Sequence, residues 1–175
     1  GKAYLKFLME KVLPKVQGRA EFVDIFCEKK AFSSWRAKRY LKFARKMGFK
    51  LKIHGEQLNN LGACKMAAKL GAVSCDHCDN MSDGDIRKLA KYGTVAVLLP
   101  LVRLFLREEG CADGRKMIDA GVPVAVATDF NPGSAPSKNI FLAMLLACLE
   151  MKLTVEEVLT AVTINAACAL DRGQQ

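Results

Sequence analysis

The sequence predicts an α/β fold built on a parallel β-sheet, and three observations carry that prediction. Short apolar runs alternate with amphipathic, helix-like stretches along the whole chain. Those runs are almost continuously apolar, as expected of strands covered by helices on both faces. His54, His77 and Asp129 each stand at the end of such a run. In parallel α/β folds the C-terminal strand ends share the one face that carries chemistry.

The elements follow in order. A helix is expected over 3–16, with Leu5, Leu8, Met9 and Val12 at helical spacing. A strand follows at 22–27, then a helix at 34–47 capped by Ser33 or Ser34 and ended by Gly48. The second strand covers 49–54, and a helix near 60–70 stops at Gly71. The third strand is 72–76. Ser82 and Asp85 then form a capping box for a helix that ends at Gly93. The fourth strand, 94–99, stops at Pro100 and leads into a loop of about ten residues. A helix at 112–120 closes at Gly121, and the fifth strand spans 122–128. Helices at 137–151, 154–162 and 163–170 finish the chain, the middle one opened by a Thr154–Glu157 capping box. This makes five strand–helix units. A complete five-stranded doubly wound sheet fits them, and so does five-eighths of a (β/α)8 barrel, whose eight units at this repeat need about 200 residues.

The bulk numbers set the class. A length of 175 residues suits one domain or a large piece of one. Hydrophobic residues at 51% and charged residues at 26% describe an ordinary globular chain. No apolar run approaches the roughly 18 residues of a membrane span, so no membrane partner is expected. The first residues read as an amphipathic helix rather than a signal peptide. A start at Gly1 without Met suggests a processed product or a fragment. The net charge is +9, but Lys29-Lys30, Arg36 to Arg39, Arg45-Lys46 and Arg87-Lys88 are spread over helices without interleaved aromatics. They read as solvated faces, and nucleic acid is not expected as a partner. Seven cysteines, an odd number, point to reduced thiols in a cytoplasm. Cys75 and Cys78 have C-x-x-C spacing but no second pair, and read as structural thiols.

The two histidines and one aspartate carry the chemistry. Imidazole is a common zinc and iron ligand. His54 therefore reads either as a ligand or as a hydrogen-bonded strand-end residue. His77, after Asp76, reads as a ligand, as a stabiliser of an oxyanion, or as a strand cap. Asp129 precedes the turn-forming Phe130-Asn131-Pro132-Gly133-Ser134. A carboxylate at the end of a buried strand needs compensation, which a metal or the following turn would supply. Beside a metal it can take the proton of an attacking water. No Walker loop or dinucleotide glycine fingerprint is present.

Lys52-Ile53-His54-Gly55-Glu56-Gln57, Cys75-Asp76-His77, Thr94 to Pro100 and Ala127-Thr128-Asp129-Phe130-Asn131-Pro132-Gly133-Ser134 together resemble imidazolonepropionase, a family of the metal-dependent amidohydrolase superfamily. Val23 to Glu28 and Thr163 to Ala167 resemble it too, so the similarity runs over essentially the whole chain. The resemblance implies a partial (β/α)8 TIM barrel, strands four to eight with their helices, forming the C-terminal portion of a barrel domain over 1–175. It implies one zinc or iron ion held by His54 and Asp129, with the family's His-x-His pair absent from this chain. It assigns catalysis to Asp129 and His77, the imidazolone substrate to Gln57 and Ser134, and the ring-opened product to Asn131 and Gly133. It further implies a small-molecule substrate and a homodimeric parent. The implied reaction is hydrolysis of 4-imidazolone-5-propanoate to N-formimidoyl-L-glutamate in histidine degradation, with this chain inactive alone. Gly55, Leu101-Val102-Arg103 and Cys78 depart from the family's usual residues. Another cyclic amide hydrolase or amidine deaminase, a non-catalytic basic binding module, and a self-contained five-stranded domain remain as alternatives.

Overall fold

A computed structural model describes residues 1–174. The chain opens with helix α1 (Lys2–Phe7), a π-helical turn (Leu8–Val12) and α2 (Leu13–Val16), where one regular helix is expected from the pattern. Pro14 explains the wide turn: it lacks the N–H that would bond one turn back, and its ring crowds that carbonyl. Strands β1 (Phe22–Val23) and β2 (Phe26–Cys27) follow, then α3 (Ser34–Lys46), β3 (Lys50–Gly55), α4 (Ala63–Lys69) and β4 (Ser74–His77). The chain continues through α5 (Asp83–Tyr92), β5 (Val95–Leu98), α6 (Pro100–Leu106), α7 (Gly114–Asp119) and β6 (Val124–Val126). It finishes with α8 (Ile140–Met151), α9 (Val155–Val162) and α10 (Ile164–Ala169).

All strand pairs are parallel, in the order β1–β3–β4–β5–β6, with β2 also on β3. Phe22 pairs with Lys50 and Phe26 with His54, so β1 and β2 share one register and are the two ends of the expected strand 22–27. The interruption falls at Asp24-Ile25, and Asp is a poor strand former. The loop expected after Pro100 begins instead as helix α6. Pro100 sits in its first turn, where a missing N–H costs nothing. Both expected capping boxes are present, Ser82 with Asp85 and Thr154 with Glu157. Gly93 closes α5 in the left-handed region that glycine adopts without strain.

The sheet has two unlike faces. On β3, Leu51, Ile53 and Gly55 are buried toward α3 and α4, while Lys50, Lys52 and His54 alternate onto the other face. On that second face α10 covers β5 and β6, where Val95, Ala125 and Ala169 form a small apolar cluster. Lys52 Nζ ties the pieces together, donating to Ser74 Oγ at 2.8 Å and to the Ala169 carbonyl at the end of α10 at 2.7 Å. Ser74 Oγ passes a hydrogen bond to Asp76 Oδ1 at 2.9 Å. All seven cysteines are free thiols. No helix among the described residues is long and apolar enough to cross a membrane.

Candidate functional site

β3 and β4 bring the two histidines together. Gly55 pairs with His77 in the ladder, so His54 and His77 lie on adjacent strands at the same end of the sheet. Their ring centroids are 4.0 Å apart, and Phe26 from the end of β2 meets His54 edge-on at 4.1 Å. At the end of β4 the chain turns sharply. His77 and Cys78 have φ of 81° and 65°, left-handed values unusual for side-chain-bearing residues. Cys78 N–H still reaches the Gly55 carbonyl at 3.3 Å, which fixes that turn against β3.

His77 is buried and His54 half-buried, and neither ring is fully hydrogen-bonded. His54 Nε2 and His77 Nδ1 have no partner. Burial pushes the His54 imidazole down to about 4. Burial, together with His54, pushes His77 down to about 3. Both are therefore neutral at pH 7, the form in which imidazole can ligate a metal. The environment of His77 Nδ1 includes Asp79 Oδ2 at 4.0 Å, longer than a hydrogen bond. Burial raises Asp79 to about 7, while its other oxygen accepts the Ala112 N–H at 3.2 Å.

The loop after His54 is held by two buried carboxylates. Glu56, fully inaccessible, accepts N–H groups from Leu61 (3.1 Å), Ala63 (2.8 Å) and Cys64 (2.7 Å), and so caps the start of α4. Glu28, just past β2, accepts from Gln57 N at 2.8 Å and Leu58 N at 3.1 Å. Gln57 is thereby fixed on the wall of a cavity of about 290 Å³, shared with Asp79, Asn80 and Glu108. Its Nε2 donates to Glu108 Oε1 at 3.3 Å. Gly55 has little room beside it: an added Cβ would lie 3.1 Å from Ala63 Cβ.

Asp129 follows β6 with a φ of 50°. The turn after it is knitted by one side chain. Asn131 Oδ1 accepts from Gly133 N (2.9 Å) and Ser134 N (2.8 Å). Its Nδ2 reaches the Asp129 carbonyl at 2.8 Å, Asp129 Oδ2 at 3.2 Å and Ser134 Oγ at 2.8 Å. Burial raises the Asp129 carboxyl above its ordinary value. Asp129, Asn131, Gly133 and Ser134 thus form one local unit, and His54 and His77 form another. Among the described residues no three His, Cys, Asp or Glu side chains converge on one metal position.

Sequence reasoning singled out both histidines, Gln57 and the 129–134 turn, but missed Glu28, Glu56 and Asp79 as anchors. One signal was available: each histidine is followed two residues later by an acid, Glu56 after His54 and Asp79 after His77.

No family model matches the chain. It is 47% identical over 174 residues to an imidazolonepropionase of Caldanaerobacter subterraneus, covering 98% of this chain and 42% of that protein. An imidazolonepropionase of Bacillus cytotoxicus is 48% identical over 174 residues, 98% of this chain and 41% of its own. One from Treponema denticola is 49% identical over 171 residues, again 41% of its length. The chain therefore spans about two fifths of the length of these curated relatives. Among solved structures, an atrazine chlorohydrolase mutant of Arthrobacter aurescens complexed with zinc and atraton matches 96% of this chain at 18% identity, over 44% of its own length, with a TM-score of 0.76. A zinc-bound adenosine deaminase of Xanthomonas campestris matches 93% of this chain at 17% identity, over 43% of its own length, with a TM-score of 0.73. The chain is thus similar in sequence to imidazolonepropionases along its whole length, and its parallel strand–helix fold is shared with part of each of these two solved structures.

Proposed function

We propose that this chain is the C-terminal portion of an imidazolonepropionase-like hydrolase, and that the complete protein opens the ring of 4-imidazolone-5-propanoate to N-formimidoyl-L-glutamate in histidine degradation. Near-half identity over the whole chain carries this reading, with the paired histidines at the ends of β3 and β4 in support. The complete protein acts in the cytoplasm, as a homodimer, on a small-molecule substrate.

The residues present fit a metal in part. His54 has a buried, unpartnered Nε2, and Asp129 offers a carboxylate at the end of the next-but-two strand. They supply two donors, where a catalytic zinc takes three protein ligands and a water. A zinc or iron ion bound by His54 and Asp129 would supply Lewis acidity. The His–Asp donor pair suits zinc and iron alike, since both accept imidazole and carboxylate.

The protein's own groups do the proton work. Asp129, its acid form favoured by burial, accepts a proton from the attacking water and returns it to the departing ring nitrogen. Asn131 holds that carboxylate in place through its Nδ2. His77 donates an N–H to the oxygen on which charge develops. A neutral histidine does so from Nε2 only if Nδ1 is the bare nitrogen. His77 Nδ1 has no hydrogen-bond partner, and Asp79 Oδ2 lies 4.0 Å away, so no acceptor draws the proton to Nδ1. Gln57 and Ser134 hold the imidazolone, and Asn131 and Gly133 the opened product.

A chimera tests this. The corresponding part of the Caldanaerobacter enzyme is replaced by this chain, and ring opening is followed. Turnover is expected, falling at least ~10³-fold for Asp129→Asn and ~10²-fold for His77→Gln. A well-folded chimera without turnover, or one indifferent to Asp129→Asn, contradicts the assignment. The 175-residue chain by itself is expected to show no turnover.

A further inference from the structure

Basic residues that look scattered along the sequence gather in space. Residues 1–48 contain 13 Lys and Arg against 4 Asp and Glu, whereas residues 49–175 contain 14 of each. The whole excess of positive charge therefore sits on the N-terminal helical stretch and α3. Between them runs a groove of about 610 Å³. Its apolar wall is Met9, Phe43 and Leu70, and its rim is Arg39, Lys42, Arg45 and Lys46. Arg45 is pinned by its bond to the Leu70 carbonyl at 3.0 Å. Among the described residues, Arg39, Lys42 and Lys46 have no carboxylate within salt-bridge reach. Arg39 and Lys42 are shared with an adjoining pocket of about 370 Å³ that also has Lys38 and Trp35, the latter 64% exposed. Apolar wall, cationic rim and an exposed aromatic thus form one continuous surface on the outer side of the sheet.

We propose that this groove docks an acidic, amphipathic segment of a partner protein, with its apolar side chains on Met9, Phe43 and Leu70 and its carboxylates against Arg39, Lys42 and Lys46. The argument is complementarity of two kinds. An apolar strip between rows of unpaired cations matches a helix with one apolar and one acidic face, the groove mode of peptide recognition. Cations left without partners steer such a segment and fix its register more than they add raw affinity. A nucleic-acid strand would use the cations but leave the apolar wall covered by nothing that prefers it. Trp35 supplies the kind of rigid aromatic contact that anchors interfaces. The reading is independent of the hydrolase proposal, since it uses none of the residues at the strand ends.

The test is fluorescence anisotropy with the full chain and a labelled helical peptide that carries leucines on one face and glutamates on the other. Saturable binding is expected, weakened about tenfold by the double charge reversal Arg39→Glu with Lys42→Glu. These side chains are exposed, and an unchanged thermal melt confirms that the variant is folded. A second peptide with every leucine changed to serine keeps the charge and is also expected to bind about tenfold more weakly. Absence of saturable binding overturns the proposal. So does equal affinity for the serine peptide, which would mean charge alone. Tighter binding to a single-stranded oligothymidine or to phosphatidylglycerol vesicles would also overturn it, assigning the surface to a different polyanion.

Discussion

The two halves of the candidate site are built in opposite ways. The histidine half, at the ends of β3 and β4, is held from a distance: Glu28 arrives from the end of β2, and Glu56 reaches forward to cap α4. The aspartate half, after β6, is held by its own turn through Asn131 and lies partly open. Buried carboxylates that satisfy several backbone N–H groups are costly to remove, because the donors left behind have no water to turn to. A turn at the surface loses less, since water replaces the missing acceptor. The histidine pair is thus a rigid, stability-coupled part of the fold. The Asp129 turn is a separate local device whose sequence can change without unfolding the sheet.

The sharpest way to break this contrast is Glu56→Ala. It strands three N–H groups at the start of α4, and a loss on the order of 3 kcal/mol or more is expected in urea unfolding. A loss below about 1 kcal/mol would show that the loop after His54 re-satisfies itself. Glu28→Ala strands the Gln57 and Leu58 N–H groups and is expected to cost about 2 kcal/mol by the same measurement.

Asp79→Asn sharpens the contrast through pH. Burial holds the folded carboxyl at about 7 against an ordinary value of 3.8, so the folded state binds its proton more tightly than the unfolded one. Wild-type stability from this group is therefore complete at low pH and declines as pH rises from about 4 to about 7. The Asn variant, which never ionises, gains relative to wild type over that same window. A relative gain on the order of 1–2 kcal/mol between about pH 4 and pH 8 is expected, with the variant and wild type close at the acidic end. A flat difference across that window would place Asp79 in a solvated setting.

Asn131→Ala is the smallest effect, about 1 kcal/mol at most, and hydrogen exchange should rise only over 129–135. Faster exchange spreading into β3 and β4 would contradict the independence of the two halves.

These differences explain what the sequence does and does not reveal. Alternating apolar runs, glycine helix ends and the Ser82 and Thr154 capping boxes are short-range signals, and the structure carries them as expected. The three chemistry-bearing strand ends are equally short-range, because a polar residue that closes an apolar run is visible in a few letters. The π-helical turn before Pro14 and helix α6 at Pro100 turn on how proline is accommodated, which the apolar pattern does not encode. Glu28, Glu56 and Asp79 look like solvated surface acids in a linear reading. The roles of Glu28 and Asp79 depend on strand pairing that brings residues some thirty positions apart into contact, as Glu28 and Gln57 show, whereas Glu56 acts on the loop and helix start that directly follow it. The clustering of Lys38, Arg39 and Lys42 beside Trp35 on one surface is likewise a property of the folded helix.

The proposed hydrolase reading requires that His54 and Asp129 be two donors of one metal site, short of the three protein ligands a catalytic zinc takes. Zinc titration of the 175-residue chain, followed calorimetrically and by the NMR signals of its two histidines, tests it most directly. The account predicts weak binding, with a Kd on the order of 10 μM or weaker, that shifts the His54 ring signals and is abolished by His54→Ala or Asp129→Asn. Nanomolar binding, or binding that survives both substitutions, would contradict it.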